Sequence, residues 1–139
     1  MEFRENEAIY LQIAGYVSDN ILRGLWPPDE KILSVRDLAG ELQVNPNTVM
    51  RTYEFLQNQG VVYNRRGIGF FVAADAAGKV TQFRRTRFLE QELPEFFNTI
   101  FLLDIGLEEI QRRYAEFKTT RPAAPAAAST FSATGHENL

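Results

Sequence analysis

Asn47 and Arg51, four residues apart on one face of an expected helix, carry the most chemical potential in this sequence. In the major groove of a duplex, a carboxamide can bond adenine at two points, and a guanidinium can do the same for guanine. Between and beyond them, Thr48 can bond a phosphate, helped by the positive end of a helix. Met50 can touch a thymine methyl or simply be an exposed apolar residue, and Glu54 can accept from cytosine N4 or stand aside. Further on, the run "RRGIG" sets Arg65 and Arg66 beside Gly67 and Gly69. Glycines let a backbone approach closely, and paired arginines suit a narrow minor groove or the phosphates beside it. Each motif also has a plainer reading, a solvated helix face in one case and a solubilising turn in the other. Their occurrence together in one short region favours nucleic acid.

Such side chains need rigid elements to aim them. Ile9, Ile13, Val17 and Ile21 recur every four residues and predict a helix over Glu7 to Arg23, stopped by Gly24 and "WPPDE". In "SVRDLAGEL", Ser34 caps a second helix, Asp37 completes a capping-box variant, and Val35, Leu38, Ala39 and Leu42 face inward. In "VNPNTVMRTYEFL", Asn45 caps a third helix through its side-chain oxygen, and Pro46 occupies the first helical position, where its missing N–H costs nothing. Val49, Thr52, Tyr53 and Leu56 fall on one side of that helix, with Asn47, Met50, Arg51 and Glu54 on the other. The short connection "LQV" makes the pair a helix-turn-helix. Gly60 ends the third helix. Val61–Asn64 and Phe70–Ala73 then form a β-hairpin around a tip at Arg65, Arg66, Gly67, Ile68 and Gly69. The expected fold is mainly α with one small β-hairpin: a winged helix-turn-helix DNA-binding domain over residues 7–75, followed by a two-helix C-terminal dimerisation hairpin.

That later region reads differently. Residues 76–82 are small and polar, and we take them as a junction. Over 83–119, Leu89, Leu93, Phe96, Phe97, Ile100 and Leu103 draw a wide apolar stripe. Gly106 breaks it, and Leu107, Ile110, Tyr114 and Phe117 resume it, which predicts an αα-hairpin over 76–119. Pro94 either kinks the longer helix or begins its second half. So small a hairpin cannot bury that many large side chains by itself. A second copy is the favoured cover, with the chain's own winged domain as the other choice. Phe88, Phe96, Phe97 and Phe101 are expected as core rather than as the lining of an effector pocket. From Thr120 the composition turns to Pro, Ala, Ser and Thr, and 120–139 is expected to be a disordered tail.

Bulk properties restrict the function. The chain has 139 residues and a formal net charge of -3. Through Asp75 there are 7 basic and 10 acidic residues, so any polyanion contact has to come from local clusters such as Arg36, Arg51, Arg65 and Arg66. The absence of cysteine excludes disulfide and thiolate chemistry. His136 is the one histidine, and Glu108 and Glu109, adjacent on a helix, do not converge on a point. No nucleophile motif, phosphate loop, metal-ligand spacing or cofactor signature is visible, so an enzyme is not expected. The charged start "MEFRENEA" and the short apolar runs argue for a cytoplasmic protein without a membrane span.

The segments "IYLQIA", "ILRG", "SVRDLA", "VNPNTVMRTYEFLQNQGVV" and "RRGIGFFV" together resemble the GntR family of bacterial transcription regulators, and the short helical C-terminal part resembles its YtrA-like subfamily. The resemblance implies a DNA-binding regulator that acts as a homodimer on a palindromic operator; repression is the expected direction of control, because a compact dimer seated on a palindrome blocks polymerase. It also implies that Arg36 meets DNA; by its position alone Arg36 can equally pair with Asp37 or Glu41. Ser34 is a possible phosphate contact as well as a cap. Departures from the family pattern are Pro28 at a usual glycine, Leu33 at a usual proline, Met50 at a frequently basic position and Phe70 at a usually small or hydroxylated one. The competing function is a winged helix used for protein contacts without DNA.

Overall fold

The structure is a computed structural model and describes residues 1–122. Its elements run α1 (Ile9–Leu22), α2 (Val35–Leu42), α3 (Pro46–Asn58), β1 (Val62–Arg65), β2 (Gly69–Val72), α4 (Ala76–Arg87), a π-helical turn (Phe88–Glu92), α5 (Leu93–Leu102) and α6 (Leu107–Thr119). They divide into two compact units, Met1–Thr81 and a second from Gln82 onward. The expected tail lies outside the described residues from position 123.

The first helix begins two residues later than its apolar period suggests. The buried Gln12 side chain accepts from the Arg4 N–H at 2.8 Å and donates to the carbonyls of Arg4 and Glu7 at 2.7 and 2.8 Å, which winds the preceding segment onto the helix start. Ile13, Val17 and Ile21 are buried as their spacing requires, but Ile9, at the free end, is 44% exposed. Gly24 closes the helix at φ 79°, and the Leu25 N–H returns to the Asn20 carbonyl at 2.9 Å.

Both predicted N-caps form. The Ser34 hydroxyl accepts from the Asp37 N–H at 3.0 Å, and the Asn45 side-chain oxygen accepts from the Asn47 N–H at 2.8 Å with Pro46 at the helix start. Between the two helices the chain turns at Gln43, whose left-handed φ of 57° lets the Val44 N–H reach the Ala39 carbonyl at 3.0 Å. Glycine ordinarily takes that position, and nothing in the local sequence marks Gln43 for it. A similar shift occurs in the loop before α2. The left-handed residue there is Asp29, φ 63°, rather than Pro28, and aspartate is among the side chains that tolerate this region.

The antiparallel hairpin pairs Val62 with Val72, Tyr63 with Phe71, Asn64 with Phe70 and Arg65 with Gly69. It has a third participant that the sequence pattern does not announce. Asp29 and Ile32 donate to the carbonyls of Val72 and Phe70, Val72 donates to Glu30, and Lys31 forms a bridge with Phe71. These bonds cover the outer edge of β2 and tie the wing to the loop ahead of α2. The core of this unit holds Ile13, Val17, Leu38, Val49, Tyr53 and Leu56, with Val61, Val62 and Val72 from the wing.

Residues 76–82, expected as a junction, are helical instead. Ala76 and Val80 lie on one face and are 1% and 0% exposed, so small side chains here serve packing. Further along, the Leu93 N–H bonds the Phe88 carbonyl five residues back, which makes the π-helical turn. Pro94 follows in the first turn of α5, where an absent N–H is harmless. Pro94 therefore begins the second half of the stretch. The break before α6 falls at Asp104, φ 57°, with the Ile105 N–H bonded to the Ile100 carbonyl at 2.9 Å; Gly106 is the N-cap of α6, not the breaking residue. The two expected C-terminal helices are present as α5 and α6, and as expected they leave most of their large apolar side chains exposed. No residue of α6 is buried, and Ile100 is the one buried residue of α5.

Candidate nucleic-acid interface

The orientation of the outward face of α3 depends on how firmly its other face is held. Thr52 is fully buried, and its hydroxyl lies 2.8 Å from the Tyr10 carbonyl on α1 and 3.1 Å from the Thr48 carbonyl on its own helix. Tyr53 is also fully buried and donates its hydroxyl to the Leu33 carbonyl at 2.7 Å. Its ring meets Phe70 of the wing edge-on, with centroids 4.9 Å apart. Burial raises the Tyr53 phenol far above its ordinary pKa, so it stays a neutral donor. Phe70, the departure from the family pattern, thus has a structural role: it locks the wing to α3.

With one side anchored to α1, to the loop before α2 and to the wing, α3 presents Asn47, Met50, Arg51 and Glu54 outward, all exposed. Met50 is 40% exposed and Thr48 is half-buried. Asn45 and Pro46 are exposed at the helix start; the Asn45 oxygen is already engaged by its cap, as is the Ser34 hydroxyl. Arg36 is exposed on the first turn of α2.

On the wing, Arg65 ends β1 and Arg66 enters the turn, both exposed. Arg65 does not extend freely from a loop tip. Its guanidinium lies 5.1 Å over the Phe71 ring, which in turn stacks on Tyr63 at 5.6 Å. Gly67 and Gly69 take φ of 79° and 141°, values that penalise any residue with a Cβ. A Cβ on Gly69 would also lie 2.9 Å from Cε of Lys31.

Two participants escaped the sequence pattern. Lys31 lies across the wing at Gly69, a cation brought there by the β-bridge to Phe71. Tyr10 lies beneath Arg51, its ring centroid 4.0 Å from the guanidinium carbon. Neither has a local signal, since each depends on contacts between residues about forty apart in the chain. An open depression of about 390 Å³ lies between the starts of α1 and α3, lined by Ala8, Ile9, Tyr10, Asn47, Thr48 and Arg51.

A trihelical core with a β-hairpin wing and an outward polar face on its third helix defines a winged helix-turn-helix, the class that reads duplex DNA. The chain belongs to the gntR family of bacterial regulatory proteins, whose profile matches residues 9–72. It is 33% identical over 88 residues to the HTH-type transcriptional repressor YtrA of Bacillus subtilis (strain 168), across 63% of this chain and 68% of that protein. It is 41% identical over 75 residues to the uncharacterized HTH-type transcriptional regulator YhcF of the same organism, across 54% of this chain and 62% of that one. A crystal structure of a GntR-family regulator from Bacteroides thetaiotaomicron superposes with a TM-score of 0.71 at 45% identity, covering 83% of this chain and all of that one. The protein is therefore a transcription regulator with a DNA-binding helix-turn-helix domain, not an enzyme. Among the described residues, no helix is long and apolar enough to cross a membrane.

Proposed function

We propose that the protein is a transcriptional repressor that binds a palindromic operator as a homodimer. Asn47 and Arg51 read base edges, Met50 adds an apolar contact, and Thr48 with the cap residues Ser34, Asn45 and Pro46 lies along the backbone. Arg36, Arg65 and Arg66 neutralise phosphates, with Gly67 and Gly69 giving the wing its close approach. The observation that carries this reading is the two-sided character of α3: Val49, Thr52, Tyr53 and Leu56 are buried, while Asn47, Met50, Arg51 and Glu54 are exposed.

The second copy docks through the helices after Gln82. Leu89, Phe96, Phe97, Leu103, Leu107 and Tyr114 are 41–64% exposed in the single chain, too much large apolar surface for water. Leu93 and Ile110, half-buried, extend the same surface; Ile100 is already buried in the single chain and so adds little area to it. A two-fold dimer sets half-sites about one helical turn apart, ~34–36 Å, or a multiple of it. Two copies on such a site obstruct polymerase. The name of the similar YtrA, a repressor, points the same way.

Footprinting on the DNA flanking the gene, paired with a reporter carrying the protected segment, tests the proposal. The expected result is a protected inverted repeat and reporter output that rises when the gene is deleted. An unprotected flank, or output that falls on deletion, overturns it.

A further inference from the structure

Arg51 is a long side chain on an exposed face, and among the described residues it forms no salt bridge. Its guanidinium nevertheless has a definite seat, 4.0 Å above the Tyr10 ring. That ring is itself supported. Its edge-on partner is Phe55, at 6.1 Å, which lies one turn beyond Arg51 on the same ridge of α3. The backbone beneath it is fixed as well, because the fully buried Thr52 donates to the Tyr10 carbonyl at 2.8 Å. Three positions within one turn of α3, Arg51, Thr52 and Phe55, thus engage one residue of α1.

We propose that Tyr10 is a positioning residue for base recognition, which sets the direction of the Arg51 guanidinium before DNA arrives. The inference rests on the assignment of Arg51 as a base reader and adds the residue through which that reading gains its selectivity. The physical reason lies in the guanidinium. It is planar and weakly hydrated, so it stacks on an aromatic face while its edge N–H groups stay free to bond. A bidentate contact to guanine needs those N–H groups in one plane at one angle. A freely rotating arginine would lose side-chain freedom on binding, whereas a stacked one has already lost most of it. Tyr10 touches no base in this scheme. The tyrosine hydroxyl is not required, but the ring is.

The test uses the full chain and the duplex it selects from a randomised pool, with variants of that duplex changed one base pair at a time. Arg51→Ala is expected to erase discrimination at one base pair. Tyr10→Leu is expected to lower discrimination at that same pair by roughly 2–5-fold, the range of an exposed cation–π contact. Tyr10→Phe should retain it, and Tyr10→Leu should add nothing at that pair once Arg51 is alanine. If Arg51→Ala relaxes a base pair and Tyr10→Leu does not, or if Tyr10→Leu relaxes it equally without Arg51, the positioning role is wrong while the reading face stands. If Arg51→Ala relaxes no base pair, the reading face is wrong and Tyr10 has nothing to position. NMR of the unmodified protein gives a check independent of any variant's folding. The Arg51 side-chain protons should be shifted upfield by the Tyr10 ring current, and shifts at their ordinary values overturn the proposal.

Discussion

The phenol of Tyr53 joins three parts of the domain, since it belongs to α3, donates to Leu33 in the loop before α2 and packs against Phe70 of the wing. Tyr53→Phe keeps the packing but leaves the Leu33 carbonyl without that donor. It should cost about 1–3 kcal/mol of stability, read from urea unfolding at neutral pH. The pH dependence follows from the raised pKa. In the unfolded chain Tyr53 ionises near pH ~10, whereas the folded protein holds it neutral to higher pH. Its contribution is therefore complete below the unfolded pKa and is lost as pH rises through the folded one. The stability gap between the native protein and Tyr53→Phe should narrow under alkaline conditions. Gly69 is a second point where one atom matters. Gly69→Ala puts a Cβ at a φ of 141° and against Lys31, and strain of this kind costs of order 1–3 kcal/mol. Combining it with Lys31→Ala should recover the contact part and leave the backbone part, as successive unfolding midpoints would show.

At the scale of elements, the domain that contains α3 has a closed core, whereas the helices after Gln82 leave most of their large apolar side chains exposed. The first is closed by caps, a covered strand edge and a buried core; α6 buries nothing. Asn45→Ala removes the cap of α3 and should lower stability by about 1 kcal/mol, with a matching fall in thermal midpoint. The second unit supports a different prediction. Phe97 is 48% exposed in the single chain, so Phe97→Glu has little to disturb within one protomer but places a charge on the proposed interface. Sedimentation should find the variant monomeric at concentrations where the native chain is a dimer. Unchanged dimer mass would show that the copies meet elsewhere. The legible parts of these elements were those with short-range causes. The Ser34 and Asn45 caps, Pro46 at N1 and the glycine turns at 24 and 60 stand where their residue types demand. The first half of α4, residues 76–82, reads as a linker because Ala, Gly, Lys and Thr carry no local sign that Ala76 and Val80 have a core to enter.

For the whole molecule, the question is how a chain of net charge -3 holds a polyanion. The exposed cations Arg36, Arg51, Arg65 and Arg66, with Lys31 beside the wing, are spread over α2, α3, β1 and the adjoining loops rather than along one basic helix. Binding should weaken steeply with salt, since each neutralised phosphate adds about -0.9 to the slope of log affinity against log salt concentration. Arg66→Ala should reduce that slope by about 0.9 for each contact it removes and leave the preferred base sequence unchanged; titration across a salt series separates the two effects. Local rules in the chain were sufficient for the helix-turn-helix, its wing and the outward set Asn47, Met50, Arg51 and Glu54, because caps, turns and apolar periods act over a few residues. The seating of Arg51 on Tyr10, the bridge that carries Lys31 to the wing and the exposure left on α5 and α6 were decided by tertiary packing. Each depends on which distant surfaces meet or fail to meet, and no run of neighbouring residues encodes that.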